Sequence, residues 1–138
     1  MALIRMLYFS QAAQGISTEQ VRAIQQTSQR NNPAVGITGV LVHGGGMFMQ
    51  VLEGPEQAVL RQYVKILDDV RHTDCQILHI SHADERTFEK WSMGLIACKE
   101  PLGFECIRVL EHQRTEAIKA RVFKDAMQVF IKMLNAAQ

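Results

Sequence analysis

The segment from Leu3 to Ser10, L-I-R-M-L-Y-F-S, is mostly apolar on both of its alternating faces. Successive side chains of a strand point to opposite sides, so a strand with this pattern is covered on both sides and lies centrally in its sheet. The rest of the chain is therefore expected to supply strands beside this segment and a packed layer over each of its faces.

Turn and capping signals divide the remaining chain into further elements. Ser17 and Gln20 have the spacing of a capping box, which predicts the start of a first helix. This helix is expected to end near Asn31 or Asn32, because Pro33 disfavours helical geometry in the residue before it. The predicted strands cover residues 3–10, 36–43, 47–53, 76–81 and 91–97, a second helix starts at Gly54-Pro55-Glu56, and a last helix covers Thr115–Leu134.

The order strand, helix, strand, strand, helix, strand, strand, helix predicts an α+β fold. We expect a ferredoxin-like sandwich with a five-stranded mixed sheet, two helices on one face and a C-terminal helical cap. The sequence shows no internal repeat, linker or second domain. Residues 1–97 are therefore expected to form the core of a single domain, and residues 98–138 its cap.

Composition narrows the class of protein. The 138 residues are 47% hydrophobic and 21% charged, which is the balance of one soluble globular domain. A net charge of +1 argues against a broad nucleic-acid surface, and no apolar stretch reaches the roughly 18 residues of a membrane span. Three cysteines without a C-x-x-C pair and five histidines without ligand spacing predict neither a disulfide framework nor a metal site, and they fit a reducing cytoplasm.

Two polar residues fall in apolar strand surroundings. Gln50 shares a strand face with Phe48 and Leu52, and Tyr8 shares a face with Met6. A buried polar group without a hydrogen bond costs about 1–3 kcal/mol, so each side chain needs a partner. Both could simply be satisfied by the backbone of a core, or both could line a site; the two strands taken alone leave this open.

The ends of the two early helices carry polar side chains. Ile24, Ser28 and Asn31-Asn32 follow one another at about one-turn intervals, and such a stripe suits an aromatic heterocycle with a polar edge. The alternative is a helix C-cap, where Asn tolerates left-handed geometry. Arg71 and His72 are expected to end the second helix, where the helix dipole alone would favour cations.

Trp91 and Met93 alternate along the predicted fifth strand and are therefore expected to face the same way. A core pair is the usual explanation for two such residues. Methionine is also soft enough to adapt when a neighbouring group rearranges.

Five sequence segments are informative when they are considered together. They are L-Y-F-S around Tyr8, N-N-P-A-V-G-I-T-G-V-L from Asn31 to Leu41, M-F-M-Q-V-L-E-G-P from Met47 to Pro55, D-D-V-R-H from Asp68 to His72, and R-T-F-E-K-W-S-M-G from Arg86 to Gly94. Together they resemble the BLUF domain, a sensor of blue light using flavin adenine dinucleotide (FAD). The resemblance covers about residues 1–97 in order, and the combination is highly specific. Residues 98–138 resemble the variable C-terminal helices of short BLUF proteins.

The resemblance implies a ferredoxin-like fold that holds the flavin ring between the two early helices, with Ile24 and Ile66 on either side of the ring. It implies that Tyr8 is the photoactive tyrosine and that Gln50 bridges it to the flavin, since an amide both donates and accepts hydrogen bonds. The other implied residues are the cofactor contacts Ser28, Asn31, Asn32, Arg71 and His72, the further polar neighbours Lys65 and Asp69, and the signal-relay pair Trp91 and Met93.

The same resemblance implies a blue-light photoreceptor that is not an enzyme. Light would drive electron and proton transfer from Tyr8, the hydrogen bonds of Gln50 would rearrange, and the change would pass to a partner protein. FAD is the expected cofactor, with FMN or riboflavin as alternatives. We expect a homo-oligomer, a dimer or higher, that acts on a separate downstream signalling protein in the cytoplasm, without nucleic acid or membrane as partners.

Two other classes of protein use the same type of fold. An acylphosphatase-like hydrolase or other small-ligand protein would need a phosphate-binding loop with an arginine after the first strand, where this chain has Q-A-A-Q-G. An RNA-binding sheet would need exposed aromatic and basic side chains, which the near-neutral charge and the two-sided apolar strands oppose. A flavin absorption spectrum of the purified protein distinguishes the three classes.

Overall fold

One sheet organises the part of the chain that the structure describes. This structure, a computed structural model, describes residues 2–98, 108, 112 and 120–136. Within these ranges, no helix is both long enough and apolar enough to cross a bilayer. The elements in chain order are β1 (Leu3–Ala12), α1 (Thr18–Val35), β2 (Thr38–Gly44), β3 (Met47–Pro55), α2 (Glu56–Leu67), β4 (His72–Ala83), β5 (Gly94–Ala97) and α3 (Ala120–Ala136).

The strand order across the sheet is β4-β1-β3-β2-β5. β1 lies between β3 and β4 and is antiparallel to both, whereas the edge strand β5 runs parallel to β2. The predicted ferredoxin-like fold with a five-stranded mixed sheet is therefore confirmed. β1 has a strand on each side, as its two-sided apolar pattern predicts.

Alternating side chains of the central strands form two cores, one on each side of the sheet. The core that contains Met6 and Leu52 lies beneath α1 and α2, which contribute Val21 and Val59. The core on the opposite side receives Met127, Phe130 and Leu134 from α3. The assignment of residues 98–138 to the same domain stays a prediction, because most of residues 99–119 lie outside the described ranges.

The first helix is longer than predicted, because Pro33 lies inside its last turn and does not end it. The capping box at Ser17 and Gln20 is present as expected. The helix ends at Gly36, which is left-handed with φ of 72° and donates to the carbonyls of the last turn. This cap fixes the final turn, so the preference against helix before proline is overridden.

The second helix is shorter than predicted and does not reach Arg71 and His72. It ends at Leu67, and His72 is the first residue of β4. The carboxylate of Asp69 accepts hydrogen bonds from the backbone and side chain of Arg71, which stabilises a turn in place of another helical turn. The helix dipole therefore does not explain why Arg71 and His72 occupy these positions.

The expected alternation of Trp91 and Met93 is wrong. β5 begins only at Gly94, so both residues lie in the preceding loop, where the two-residue period of a strand does not apply. Trp91 is half-buried and packs against the core beneath α3, whereas Met93 is buried in the core beneath α1 and α2. The pair therefore spans both sides of the sheet.

The cysteines also differ from expectation. Cys98, directly after β5, is disulfide-bonded, whereas Cys75 is free. Cysteine spacing in a sequence does not show which Cα atoms approach within the roughly 7 Å that a disulfide requires. The expectation of reduced cysteines is therefore wrong for Cys98.

Candidate functional site

A cleft of about 160 Å³ opens between α1, α2 and the sheet. Most of the residues singled out from the sequence meet there, although they come from five different elements and one turn. Those that line the cleft are Tyr8, Ile24, Ser28, Gln50, Lys65, Ile66, Asp69, Arg71 and His72.

The sequence analysis missed four residues of the cleft wall. Thr27 and Gln62 lie on α1 and α2, and their spacing could have indicated them, since they stand three residues after Ile24 and four before Ile66. Leu41 and Phe48 complete the wall from β2 and β3. The cleft thus has apolar side chains on both its sheet side and its helix side, and polar groups come from the strands, from both helices and from the turn after α2.

Tyr8 and Gln50 form the centre of the site because β1 and β3 pair these two residues directly. The Tyr8 hydroxyl donates a hydrogen bond to Oε1 of Gln50, and Gln50 Nε2 donates to Sδ of Met93 at 3.3 Å. Both polar side chains are almost fully buried, so each needs these partners. Gln50 therefore joins the tyrosine on one side to the loop before β5 on the other.

Burial raises the pKa of the Tyr8 phenol well above its usual value, and the nearby Cys75, Tyr63 and Asp69 raise it further. Tyr63 packs edge-on against Tyr8, with ring centroids 5.4 Å apart. Burial raises the pKa of Tyr63 as well, with a smaller contribution from Cys75. Tyr8 therefore keeps its proton throughout the physiological range and is available as a proton donor to Gln50.

The raised pKa values predict how the folded protein responds to alkali. The chain has two tyrosines, Tyr8 and Tyr63, and both have a folded-state pKa above the unfolded value of about 10. The stability that they contribute is fully present below that value and is lost as pH rises through the folded-state pKa. We expect phenolate absorption of the folded protein to appear only above about pH 10, and that of the denatured chain near it. A tyrosine that ionises below this value in the folded protein would contradict the structure.

His72 holds the end of α2 against β1. Its Nε2 lies 2.6 Å from the carbonyl oxygen of Ile66, which only accepts hydrogen bonds, so this nitrogen carries a proton. Its Nδ1 lies 2.7 Å from Oγ of the buried Ser10. The ring is thereby fixed in orientation on the wall of the cleft.

An ion pair forms part of the polar rim of the cleft. The Arg71 guanidinium donates to both carboxylate oxygens of Asp69, at distances between 2.5 and 3.1 Å. The side-chain hydrogen bond lowers the pKa of the Asp69 carboxyl and raises that of the Arg71 guanidinium. Both groups therefore remain charged, and Lys65 adds an ammonium group to the same lining.

The two asparagines at the end of α1 have different surroundings. Asn31 is exposed and does not line the cleft, so its contact with the cofactor stays a prediction. Asn32 is buried and its Nδ2 donates to the carbonyl of Ser92 at 2.7 Å. Its Oδ1 has no hydrogen-bond partner within the described residues, although Asn32 does not line the cleft. A buried acceptor without a partner is uncommon and favours a bound donor at that position.

The BLUF family, described as "Sensors of blue-light using FAD", matches residues 3–94. Among curated proteins, photoactivated adenylate cyclase subunit beta of Euglena gracilis is 39% identical over 92 residues, which are 66% of this chain and 11% of that protein. Subunit alpha of the same organism is 40% identical over 86 residues, 62% of this chain and 8% of that protein. This chain thus spans about a tenth of the length of these relatives.

Solved structures give the same result. A bacterial light-regulated adenylyl cyclase aligns with a TM-score of 0.74 and 32% identity over 89% of this chain and 36% of its own. BlrB, a BLUF protein in its dark state, aligns with a TM-score of 0.77 over 94% of this chain and 95% of its own, and at 23% identity it supports the fold alone. The family match covers more than half of the chain and includes Tyr8 and Gln50. This chain therefore belongs to the BLUF family, the sensors of blue light using FAD.

Proposed function

We propose that the cleft binds the isoalloxazine ring of FAD and that blue light switches the hydrogen bonds of Gln50. The single observation that carries this proposal is the buried Tyr8–Gln50–Met93 chain of hydrogen bonds, whose first two members line the cleft. When bound, the flavin supplies blue-light absorption and, once excited, accepts an electron.

The residues of the cleft fit such a ring. Ile24 on α1 and Ile66 on α2 supply apolar walls, while Gln50 offers an amide that both donates and accepts. Asn32 does not line the cleft, but it follows Ser28 by one turn of α1, and reorientation of its side chain would bring the unpartnered Oδ1 to the imide N–H of a flavin and relieve a cost of about 1–3 kcal/mol. Ser28, Arg71 and His72 would contact the polar atoms of the ring or its side chain.

Tyr8 is the donor in this mechanism, because its phenolic proton already lies on the hydrogen bond to Oε1 of Gln50. Transfer of that proton onto Oε1, with loss of one Nε2 proton to an acceptor on a bound flavin, would convert the Gln50 amide to its imidic acid form. Return of the proton to Tyr8 leaves Gln50 rotated, tautomerised or both, with changed hydrogen bonds towards its neighbours.

The change at Gln50 has a direct effect on Met93. In the present arrangement the amide N–H donates to the thioether sulfur, which only accepts. A rotated amide would turn its carbonyl oxygen towards the sulfur and lose this bond. Met93 is therefore the first residue outside the Tyr8–Gln50 pair to respond.

Met93 adjoins a contact with the C-terminal helix. The next residue, Gly94, begins β5, and a Cβ atom added there would come within 2.6 Å of Cδ2 of Leu134. Leu134 of α3 is buried directly against this backbone. A shift of Met93 would thus reach α3 through one peptide unit, and the response is limited by the free-energy difference between the two states.

The test of this function is a dark-minus-light absorption spectrum of the purified protein. A flavin spectrum with a small, reversible red shift after blue light is the expected result. A protein that binds no flavin, or whose spectrum does not change in light, would contradict the proposal. Chromatography of the released cofactor separates FAD from FMN and riboflavin.

Met93→Ala is expected to keep the red shift and to lose the response of α3. Alanine removes the sulfur that accepts from Gln50, while Tyr8 and its hydrogen bond to Gln50 are unchanged. The measurement is light-minus-dark hydrogen exchange over residues 120–136 beside the absorption spectrum. An undiminished exchange difference in this variant would count against the relay.

The signal is proposed to leave through a contact of α3 with a separate protein or a second copy of this chain, without chemistry catalysed by the chain itself. The helix lies over the sheet face opposite the cleft, so a partner at its outer surface would not obstruct flavin binding. Light scattering of dark and illuminated protein tests the proposed homo-oligomer and any change of assembly.

A further inference from the structure

Glu53 is a fully buried carboxylate that the mechanism above does not use. It lies on β3, three residues after Gln50, so its side chain points to the opposite side of the sheet. β1 pairs Arg5 with it and β2 pairs Thr38 with it, which places the three side chains in one row across neighbouring strands.

The carboxylate accepts four hydrogen bonds, two on each oxygen. Arg5 Nε and the backbone N–H of Thr87 donate to Oε2, at 3.0 and 2.9 Å. The Thr38 hydroxyl and the backbone N–H of Phe88 donate to Oε1, at 3.0 and 2.5 Å. All four acceptor positions of the carboxylate are therefore occupied, and two of them hold backbone of the loop between β4 and β5 (residues 84–93).

Other bonds attach the same part of this loop to the row. The Arg86 guanidinium donates to the Thr38 hydroxyl at 2.9 Å and to the backbone carbonyl of Glu53 at 3.2 Å. Arg5 Nη2 donates to the carbonyl of Glu85 at 3.0 Å. The first half of the loop, Glu85 to Phe88, is thus fixed to β1, β2 and β3 at every residue.

The second half of the loop is held by hydrogen bonds from neutral groups. Gly39 N–H donates to the Trp91 carbonyl at 3.0 Å, Asn32 to that of Ser92, and Gln25 and Gln29 to that of Met93 at 3.2 Å. The contact of Met93 with Gln50 is an amide–sulfur bond. Charge-assisted hydrogen bonds are roughly twice as strong as such neutral ones, so a disturbance at Met93 displaces this half first.

We infer that Glu53 is a positioning residue for light signalling: it fixes the base of the β4–β5 loop, so that rearrangement of Gln50 moves Met93 and β5 against α3. This role rests on the proposed function. With the base fixed, displacement at Met93 is directed along the chain into Gly94 and the contact with Leu134. With the base released, the whole loop shifts and the displacement is absorbed before β5.

The test compares Glu53→Gln and Arg86→Met in the full chain with bound flavin. Glu53→Gln replaces one carboxylate oxygen by an N–H₂ group, which faces hydrogen-bond donors instead of accepting from them. Arg86→Met removes the hydrogen bond from Arg86 to Thr38 while the carboxylate of Glu53 stays intact. Both variants are expected to keep the red shift and to lose the light-minus-dark hydrogen-exchange difference over residues 94–97 and 120–136. Arg22→Met, at an exposed position of α1, is the matched control and keeps both signals.

Exchange in dark and light separates signalling from simple destabilisation. A merely structural role of Glu53 would raise exchange equally in both states and leave their difference intact, which would overturn the inference. If Glu53→Gln does not fold, Arg86→Met decides the question on the same criterion. An unmodified chain without a red shift would overturn the proposed function itself, whereas a shift with an undiminished exchange difference in the variants would overturn only the role of Glu53.

Discussion

Replacement of Tyr8 by phenylalanine is expected to abolish the light-induced red shift while flavin binding is retained. The substitution removes one hydroxyl, and with it the only phenolic proton that is hydrogen-bonded to Gln50 in the described residues. Phenylalanine fills the same volume beneath α1 and α2, so the core is preserved, apart from an unpaired Oε1 on Gln50. The measurement is the dark-minus-light spectrum of the variant.

Tyr63→Phe is the matched control for this prediction. Tyr63 is buried beside Tyr8 and packs against its ring, but it does not line the cleft or bond to Gln50. Loss of the hydroxyl at this neighbouring tyrosine is expected to leave the red shift in place. Loss of the shift in both variants, or in neither, would contradict the assignment of Tyr8 as the donor.

Gly39→Ala is expected to destabilise the fold by about 3 kcal/mol, at the upper end for overpacking. A Cβ atom at Gly39 would lie 2.0 Å from the carbonyl oxygen of Val51, and that oxygen belongs to the backbone of β3. The backbone cannot move aside without loss of the β2–β3 ladder, which positions Gln50. Chemical denaturation followed by circular dichroism measures the free energy of unfolding.

Gly94→Ala is the comparison for that measurement. Its added Cβ atom meets the end of the Leu134 side chain at 2.6 Å, and a side chain can change rotamer. We expect a smaller loss, about 1 kcal/mol. Equal losses in the two variants would show that the close approach at Gly39 is relieved by a route other than disruption of the ladder.

Periodicity predicted the central part of the fold because burial there is decided locally. The two-sided apolar pattern of β1 and the shared face of Phe48, Gln50 and Leu52 follow directly from strand geometry. Errors arose where tertiary contacts override local preference. The cap at Gly36 extends α1 past Pro33, and the bonds between Asp69 and Arg71 end α2 early.

The site could be predicted only from several sequence segments taken together. Neither Tyr8 nor Gln50 alone distinguishes a site from a satisfied core, and the register that pairs them depends on long-range contacts. The position of Trp91 and Met93 on opposite sides of the sheet depends on where β5 begins, which no local pattern marks. Glu53 was passed over because its partners, among them Arg5 and Thr87, are far apart in sequence.

The strand order also places the residues proposed to detect light away from the strand that contacts the C-terminal helix. Tyr8 and Gln50 lie on β1 and β3, two of the three interior strands, whereas β5 and the helix contact that it makes lie at one edge. A further segment of polypeptide that packs at that edge does not contact Tyr8, Gln50 or the cleft. A unit built this way is portable between architectures, which accords with its recurrence in cyclase subunits many times its size.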